Sequence, residues 1–182
     1  MQNLITSFKV SLKNCRKVRV LTAAAMLVAI TVILSFMTVY LTQWARFSFT
    51  FIPMAAGGML FGPVVSGIMG ALADLIGYMV KPTGPYMPLF TLNAILTGLI
   101  YGIFLFKKEI TLKNIVIAQL LITLVVDVAL QSCWLVLLYG EAFSAILPLR
   151  FLKSALFFPV QVFLLYVVAK YIPVLKNRFH YK

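Results

Sequence analysis

The amino-acid sequence predicts an all-α integral membrane protein, a bundle of six transmembrane helices with both termini in the cytoplasm. Three observations carry that prediction. Of the 182 residues 63% are hydrophobic and only four are acidic, too little polar surface for a soluble domain of this length. The apolar residues gather in six segments. The basic residues fall mainly on the tails and on one connection, as an even number of crossings requires.

The first apolar segment, 20–40, is long enough to cross a hydrocarbon layer of roughly 30 Å at about 1.5 Å per residue. The second, 47–61, is short and contains Pro53 and the pair Gly57–Gly58. The third is 63–80, the fourth 89–106 and the fifth 114–138. The sixth, 148–171, has Pro159 near its middle, where a kink is expected. Residues 1–19 are basic and precede an apolar run. That run is too long for the h-region of a signal peptide and has no convincing cleavage site, so a retained first helix is expected. The division is therefore a single membrane domain. Residues 1–19 form a cytoplasmic N-terminal segment, about 20–171 the six-helix bundle, and 172–182 a cytoplasmic tail. In the N-terminal segment Leu4, Ile5, Phe8, Val10 and Leu12 set against Lys9, Lys13, Arg16 and Lys17 suggest an amphipathic helix on the inner membrane surface; a solvated tail is the other reading.

The net charge is +12. Twelve of the sixteen bases lie in the N-terminal tail (Lys9, Lys13, Arg16, Lys17, Arg19), the fourth connection (Lys107, Lys108, Lys113) and the C-terminal end (Lys170, Lys176, Arg178, Lys182). Six spans put all twelve on the cytoplasmic side. Orientation and contact with lipid headgroups explain this charge, and no nucleic-acid partner is implied.

Four bases break the pattern: Arg46, Lys81, Arg150 and Lys153. All fall at the outer level, and the last two share a helix face. Each alone reads as a snorkelling anchor; together they read as a receptor for an anionic ligand. Two acids fall inside spans, Asp74 and Asp127. A carboxylate there costs about 2.5–3.5 kcal/mol and normally faces an interior with a partner. That partner is either one of the outer bases or the N–H groups of a bound ring. Asn93, Thr97 and Gln131 lie at nearby depths, and Asp127 and Gln131, spaced i, i+4, share a wall. Trp44, Phe47, Phe49, Phe51, Tyr78, Tyr86, Phe90 and Trp134 cluster toward the same side, as an interface belt or as stacking surfaces. The connector KPTGPYMPLFTLN, 81–93, holds Pro82, Pro85 and Pro88 and reads as a stiff lid over such a pocket.

Catalytic chemistry finds no foothold. His180 is the only histidine, Cys15 and Cys133 stand apart as free thiols, and no HExxH, CxxC or GxxxxGK[ST] occurs. No cofactor and no metal site is expected, and any ATP hydrolysis belongs to another subunit. The glycines Gly62, Gly67, Gly70 and Gly77 suit close helix packing. Ala25 and Ala29 form a small-xxx-small pair in the first span, for packing within the bundle or for a partner subunit.

The stretches FGPVVSGIMGALADLIG and PTGPYMPLFTLNAILTGLIYG, within 46–102, resemble the folate-specific S components, the FolT family, of energy-coupling factor (ECF) vitamin transporters. Six spans in about this length and the Ala25–Ala29 face are similar too. The resemblance implies an S-component-like bundle that is not an enzyme. It also implies folate bound on the outer face and partnership with a T component and two ATPase subunits. Delivery would be by toppling of the chain in the membrane, with Ala25 and Ala29 on the docking face. Under it Asp74 or Asp127, with Asn93, would accept from the pterin, and Tyr78, Tyr86, Phe90 and Trp134 would cover the rings. Arg46, Lys81, Arg150 or Lys153 would hold the carboxylates. An S component for another vitamin such as riboflavin, or a stand-alone proton-coupled carrier, is the alternative.

Overall fold

The structure, a computed structural model, describes the backbone of residues 2–40, 46–82, 86–106, 111–134 and 143–179. Side chains are described for these except 2–6, 39–40, 46–47, 143–150, 153 and 173–179. Among the described residues the regular structure is helical apart from one antiparallel pair of two-residue strands. The elements are α1 (Gln2–Asn14), α2 (Val18–Phe36), β1 (Val39–Tyr40), β2 (Arg46–Phe47), α3 (Phe51–Phe61), α4 (Pro63–Val80), α5 (Pro88–Leu105), α6 (Leu112–Trp134) and α7 (Phe143–Phe179). Among the described residues five helices are long and apolar enough to cross a membrane: α2, α4, α5, α6 and, within α7, Ser154–Ile172. The apolar α3 has only 11 residues, about 16 Å at 1.5 Å per residue and half a bilayer core.

Lipid contact is written on the surface. Met79 is 80% exposed, Leu152 72% and Leu156 70%, which water would not tolerate at this density but acyl chains do. α2 divides cleanly: Val20, Ala24, Val28, Thr31 and Val32 are buried, while Leu21, Ala25, Met26, Ala29, Ile30 and Ile33 are exposed. The Thr31 hydroxyl donates to the Leu27 carbonyl at 2.7 Å, which satisfies it within its own helix.

The α4–α5 pairing is the most extensive in the bundle, and its backbones nearly touch. A Cβ on Gly70 would run into the Ala94 carbonyl, on Gly98 into the Ser66 carbonyl, and on Gly102 into Pro63. Small residues allow this approach where the hydrophobic effect gives helices no reason to associate. Gly58 of α3 meets Tyr101 and Gly102 in the same way. Gly67 makes only ordinary contact with Leu99, and Gly77 has only Ser35 Oγ within reach, at 3.9 Å, so Gly77 is not a packing glycine.

The α3–α4 junction turns at Gly62 with φ of 93°, a backbone region that glycine enters without strain. Pro63 then occupies the first helical position, where its missing N–H costs nothing. Gly62 has no side chain to cap the next donors. Ser11, buried on α1, does so instead: its Oγ accepts from Val64 N at 3.1 Å and Val65 N at 3.3 Å, and donates to Phe61 O at 3.0 Å. The N-terminal segment is thus a helix, as the amphipathic pattern suggests, and it is also fastened to the α3–α4 corner.

A buried polar chain ties three helices. Tyr101 Oη donates to Gln119 Oε1 at 2.7 Å, and Gln119 Nε2 donates to Gln161 Oε1 at 2.8 Å, joining α5, α6 and α7. In α6 the stretch Ile122–Leu130 is π-helical, where a regular α-helix was expected. Five of these nine residues are β-branched, a composition that crowds a regular α turn. α7 continues through Pro159 as helix.

Candidate functional site

The ends of α4 and α5 that face the 81–87 connection bring several of the expected residues together. Asp74, half-buried on α4, accepts a hydrogen bond at Oδ2 from Thr91 Oγ1 at 2.7 Å. Thr91 lies one turn into α5, where Pro88 starts the helix. The Tyr86 hydroxyl sits 2.9 Å from the same Thr91 oxygen. The Tyr86 ring meets the Tyr78 ring with centroids 5.0 Å apart and planes inclined by 54°, within the range of favourable tilted aromatic pairs. Tyr78 is one turn beyond Asp74 on α4, so the contacts close a ring: Asp74, Thr91, Tyr86, Tyr78 and back along the helix.

Asn93 forms the second group. It is buried on α5, and its Oδ1 accepts from Trp134 Nε1 at 3.1 Å, which brings the end of α6 to α5. Phe90 is half-buried in the first turn of α5, and its N–H donates to Met87 O at 3.0 Å. Asp127 lies half-buried in the π-helical stretch and Gln131 just beyond it, also half-buried. π-Helical turns often accompany functional sites. Lys81 is exposed at the end of α4. The backbone of Arg46 pairs with Tyr40 across the β1–β2 ladder. The side chains of Arg46, Arg150 and Lys153 lie outside the described residues, as do Trp44, His180 and the tip of the proposed lid, 83–85.

Thr91 was not among the residues singled out in the sequence, although its hydroxyl stands in an otherwise apolar turn, PLFTLN. Its role depends on Asp74 facing it across the helix pair, which no local pattern shows. Ala25 and Ala29 are exposed on α2, away from the bundle core. A separate apolar groove of about 150 Å³ runs between α6 and α7, lined by Leu120, Leu124, Phe151, Phe158 and Thr123, among others. It offers nothing to an ionic ligand and is distinct from the Asp74 cluster.

Chemically, the first group presents a carboxylate beside tilted phenol rings and the second an amide beside an indole. Carboxylate and amide oxygens can accept from N–H donors, and aromatic rings can stack on a flat ligand.

Comparisons with known proteins agree with this chemistry. The family model described as "ECF transporter, substrate-specific component" matches residues 19–169. The folate transporter FolT of Clostridium novyi (strain NT) is 34% identical over 151 residues, covering 83% of this chain and 88% of that protein. The folate transporter FolT of Leuconostoc mesenteroides subsp. mesenteroides is 33% identical over 144 residues, covering 76% and 77%. A crystal structure of FolT bound with folic acid superposes with a TM-score of 0.80 and 39% identity, covering 85% of this chain and 94% of that one. The chain therefore belongs to the substrate-specific components of ECF transporters, multi-pass integral proteins of the cell membrane.

Proposed function

We propose that this chain binds folate at the outer side of the membrane and delivers it inward when docked to an ATP-driven energising module. The observation that carries the reading is the presence on the α4–α5 unit of two polar groups, Asp74 with Thr91, Tyr86 and Tyr78, and Asn93 with Trp134. The likeness to a FolT bound with folic acid supports the same ligand. Folate joins a flat pterin to a benzoate and a glutamate with two carboxylates. Asp74 accepts from the pterin's amino and ring N–H groups; each hydrogen bond to a charged group is worth about 1.5–3 kcal/mol. Asn93 adds a neutral acceptor, and Asp127 and Gln131 form the facing wall. Tyr78, Tyr86, Phe90 and Trp134 cover the rings. Lys81, Arg46, Arg150 and Lys153 hold the carboxylates as charge-assisted pairs. The prolines of the 81–93 connection lower the entropy lost when it closes over the ligand.

In this reading six spans place both termini and the twelve clustered bases in the cytoplasm. The short α3 counts as the second span. Ala25 and Ala29 present a close-approach face to the T component, two ATPase subunits supply the energy, and the whole chain topples to release folate inward. A riboflavin-specific component would have no use for the four outer bases.

The test is fluorescence and calorimetric titration of the purified chain with folate and riboflavin in parallel. Saturable binding of folate alone is expected. Failure to bind folate by both methods would overturn the assignment. Uptake by the chain alone in liposomes would instead establish a stand-alone carrier.

A further inference from the structure

The Thr91 hydroxyl carries a single hydrogen, and that hydrogen is committed to Asp74 Oδ2 at 2.7 Å. The 2.9 Å contact with Tyr86 Oη must then have Tyr86 as its donor. The direction of the chain is thereby fixed: Tyr86 donates to Thr91, and Thr91 donates to Asp74. Each donation polarises the next donor along the chain. The chain also crosses the connection it spans. Tyr86 precedes α5, Thr91 is inside it, and Asp74 is on α4. The Tyr86 ring rests on Tyr78, one turn beyond Asp74. Thr91 donates to Oδ2, so one of the two carboxylate oxygens of Asp74 is held.

We infer that Thr91 is a positioning residue of the binding site: it fixes one oxygen of Asp74, leaves the other for a ligand N–H, and is itself oriented by the Tyr86 hydroxyl. The inference rests on the folate reading in one respect, that Asp74 meets the pterin. One feature gives the arrangement its purpose. A carboxylate on a free χ2 rotor loses rotational freedom when a ligand binds; one already held by Thr91 has lost it beforehand.

The experiment uses the full chain in detergent and four variants: Thr91→Val, Thr91→Ser, Tyr86→Phe, and the Thr91→Val/Tyr86→Phe pair. Each is titrated by calorimetry with folic acid and, by competition, with p-aminobenzoyl-glutamate, the part of the ligand that lacks the pterin. Thr91→Val should weaken folic acid binding about tenfold or more, the range of a hydrogen bond to a charged group, and leave the fragment unaffected. Thr91→Ser should restore most of the affinity. Tyr86→Phe should weaken folic acid in the parent background and add little in the Thr91→Val background, the non-additivity expected of one chain. A role confined to helix packing would lower the unliganded melting temperature and would not discriminate between the two ligands. Folic acid binding within about twofold of the parent in Thr91→Val, or a full Tyr86→Phe loss that persists in the double variant, overturns the inference while the folate reading stands. A parent chain that does not bind folic acid overturns the folate reading first, and this assignment of Thr91 with it.

Discussion

Gly98→Ala tests the closeness of the α4–α5 pair. The added Cβ would lie on the Ser66 carbonyl, 2.6 Å from its carbon and 3.0 Å from Gly67 N. These are backbone atoms, so no side chain can swing aside. Restoring ordinary contact at about 3.5–4.0 Å requires the helices to part by roughly 1 Å, a gap that forfeits a quarter to a half of the dispersion energy across it. Overpacking of this kind costs about 1–3 kcal/mol, against which alanine returns up to about 1 kcal/mol of helix propensity. The net expectation is destabilisation. Gly77→Ala is the control on α4, because its nearest neighbour is Ser35 Oγ of α2 at 3.9 Å; it should be neutral or stabilising. Gly102→Ala, one turn along from Gly98, meets Pro63 and demands the same displacement. The double variant should therefore cost less than the sum of the two singles. Thermal unfolding of the purified chain in one detergent ranks all four. A Gly98→Ala protein that melts at or above the parent, or together with Gly77→Ala, would refute the backbone-contact account.

Tyr101→Phe removes the donor to Gln119 Oε1 and leaves a buried amide oxygen unpaired, at a cost of about 1–3 kcal/mol, read in the same melting assay with folate affinity little changed. Ser11→Ala deletes the cap on Val64 and Val65 and should cost about 0.5–2 kcal/mol; limited proteolysis should then cut near the junction of α1 and α2 sooner than in the parent. Ala25→Leu and Ala29→Leu fall on an exposed helix face, so stability should move by no more than about 0.5 kcal/mol. Co-purification with the T component should fall sharply while folate titration is unchanged.

Much of the architecture was legible because hydropathy and punctuation coincide. The third apolar segment matches α4 residue for residue, since Gly62 and Pro63 mark its start and Lys81 its end. The first segment was read four residues too far. Val39–Tyr40 is apolar enough to extend a span, yet its backbone pairs with Arg46–Phe47. Hydropathy reports where a side chain is comfortable and says nothing of which backbone partner is available. The same limit hid Gly98 and Gly102, which differ from Gly77 only by what stands opposite. It hid the π-helical turn, which a 3.6-residue period presumes away. At the site, Asp74 stood out because charge inside a span is costly. Thr91 did not, because a threonine in a transmembrane helix can satisfy its hydroxyl on its own backbone, as Thr31 and Thr97 do. Only the fold shows that Thr91 spends its hydrogen on another helix.

The Ser11 cap joins parts of the chain that are made at different times. Its hydroxyl completes the start of α4 from 53 residues upstream. When α1 leaves the ribosome the corner it serves has not been made, and when α3 and α4 enter the bilayer their junction still lacks its cap. Until the hairpin is in place Ser11 lacks the partners it has in the folded chain, Phe61, Val64 and Val65. Docking of α1 therefore follows synthesis of the α3–α4 hairpin, and it requires the corner to lie on the same side of the membrane as α1.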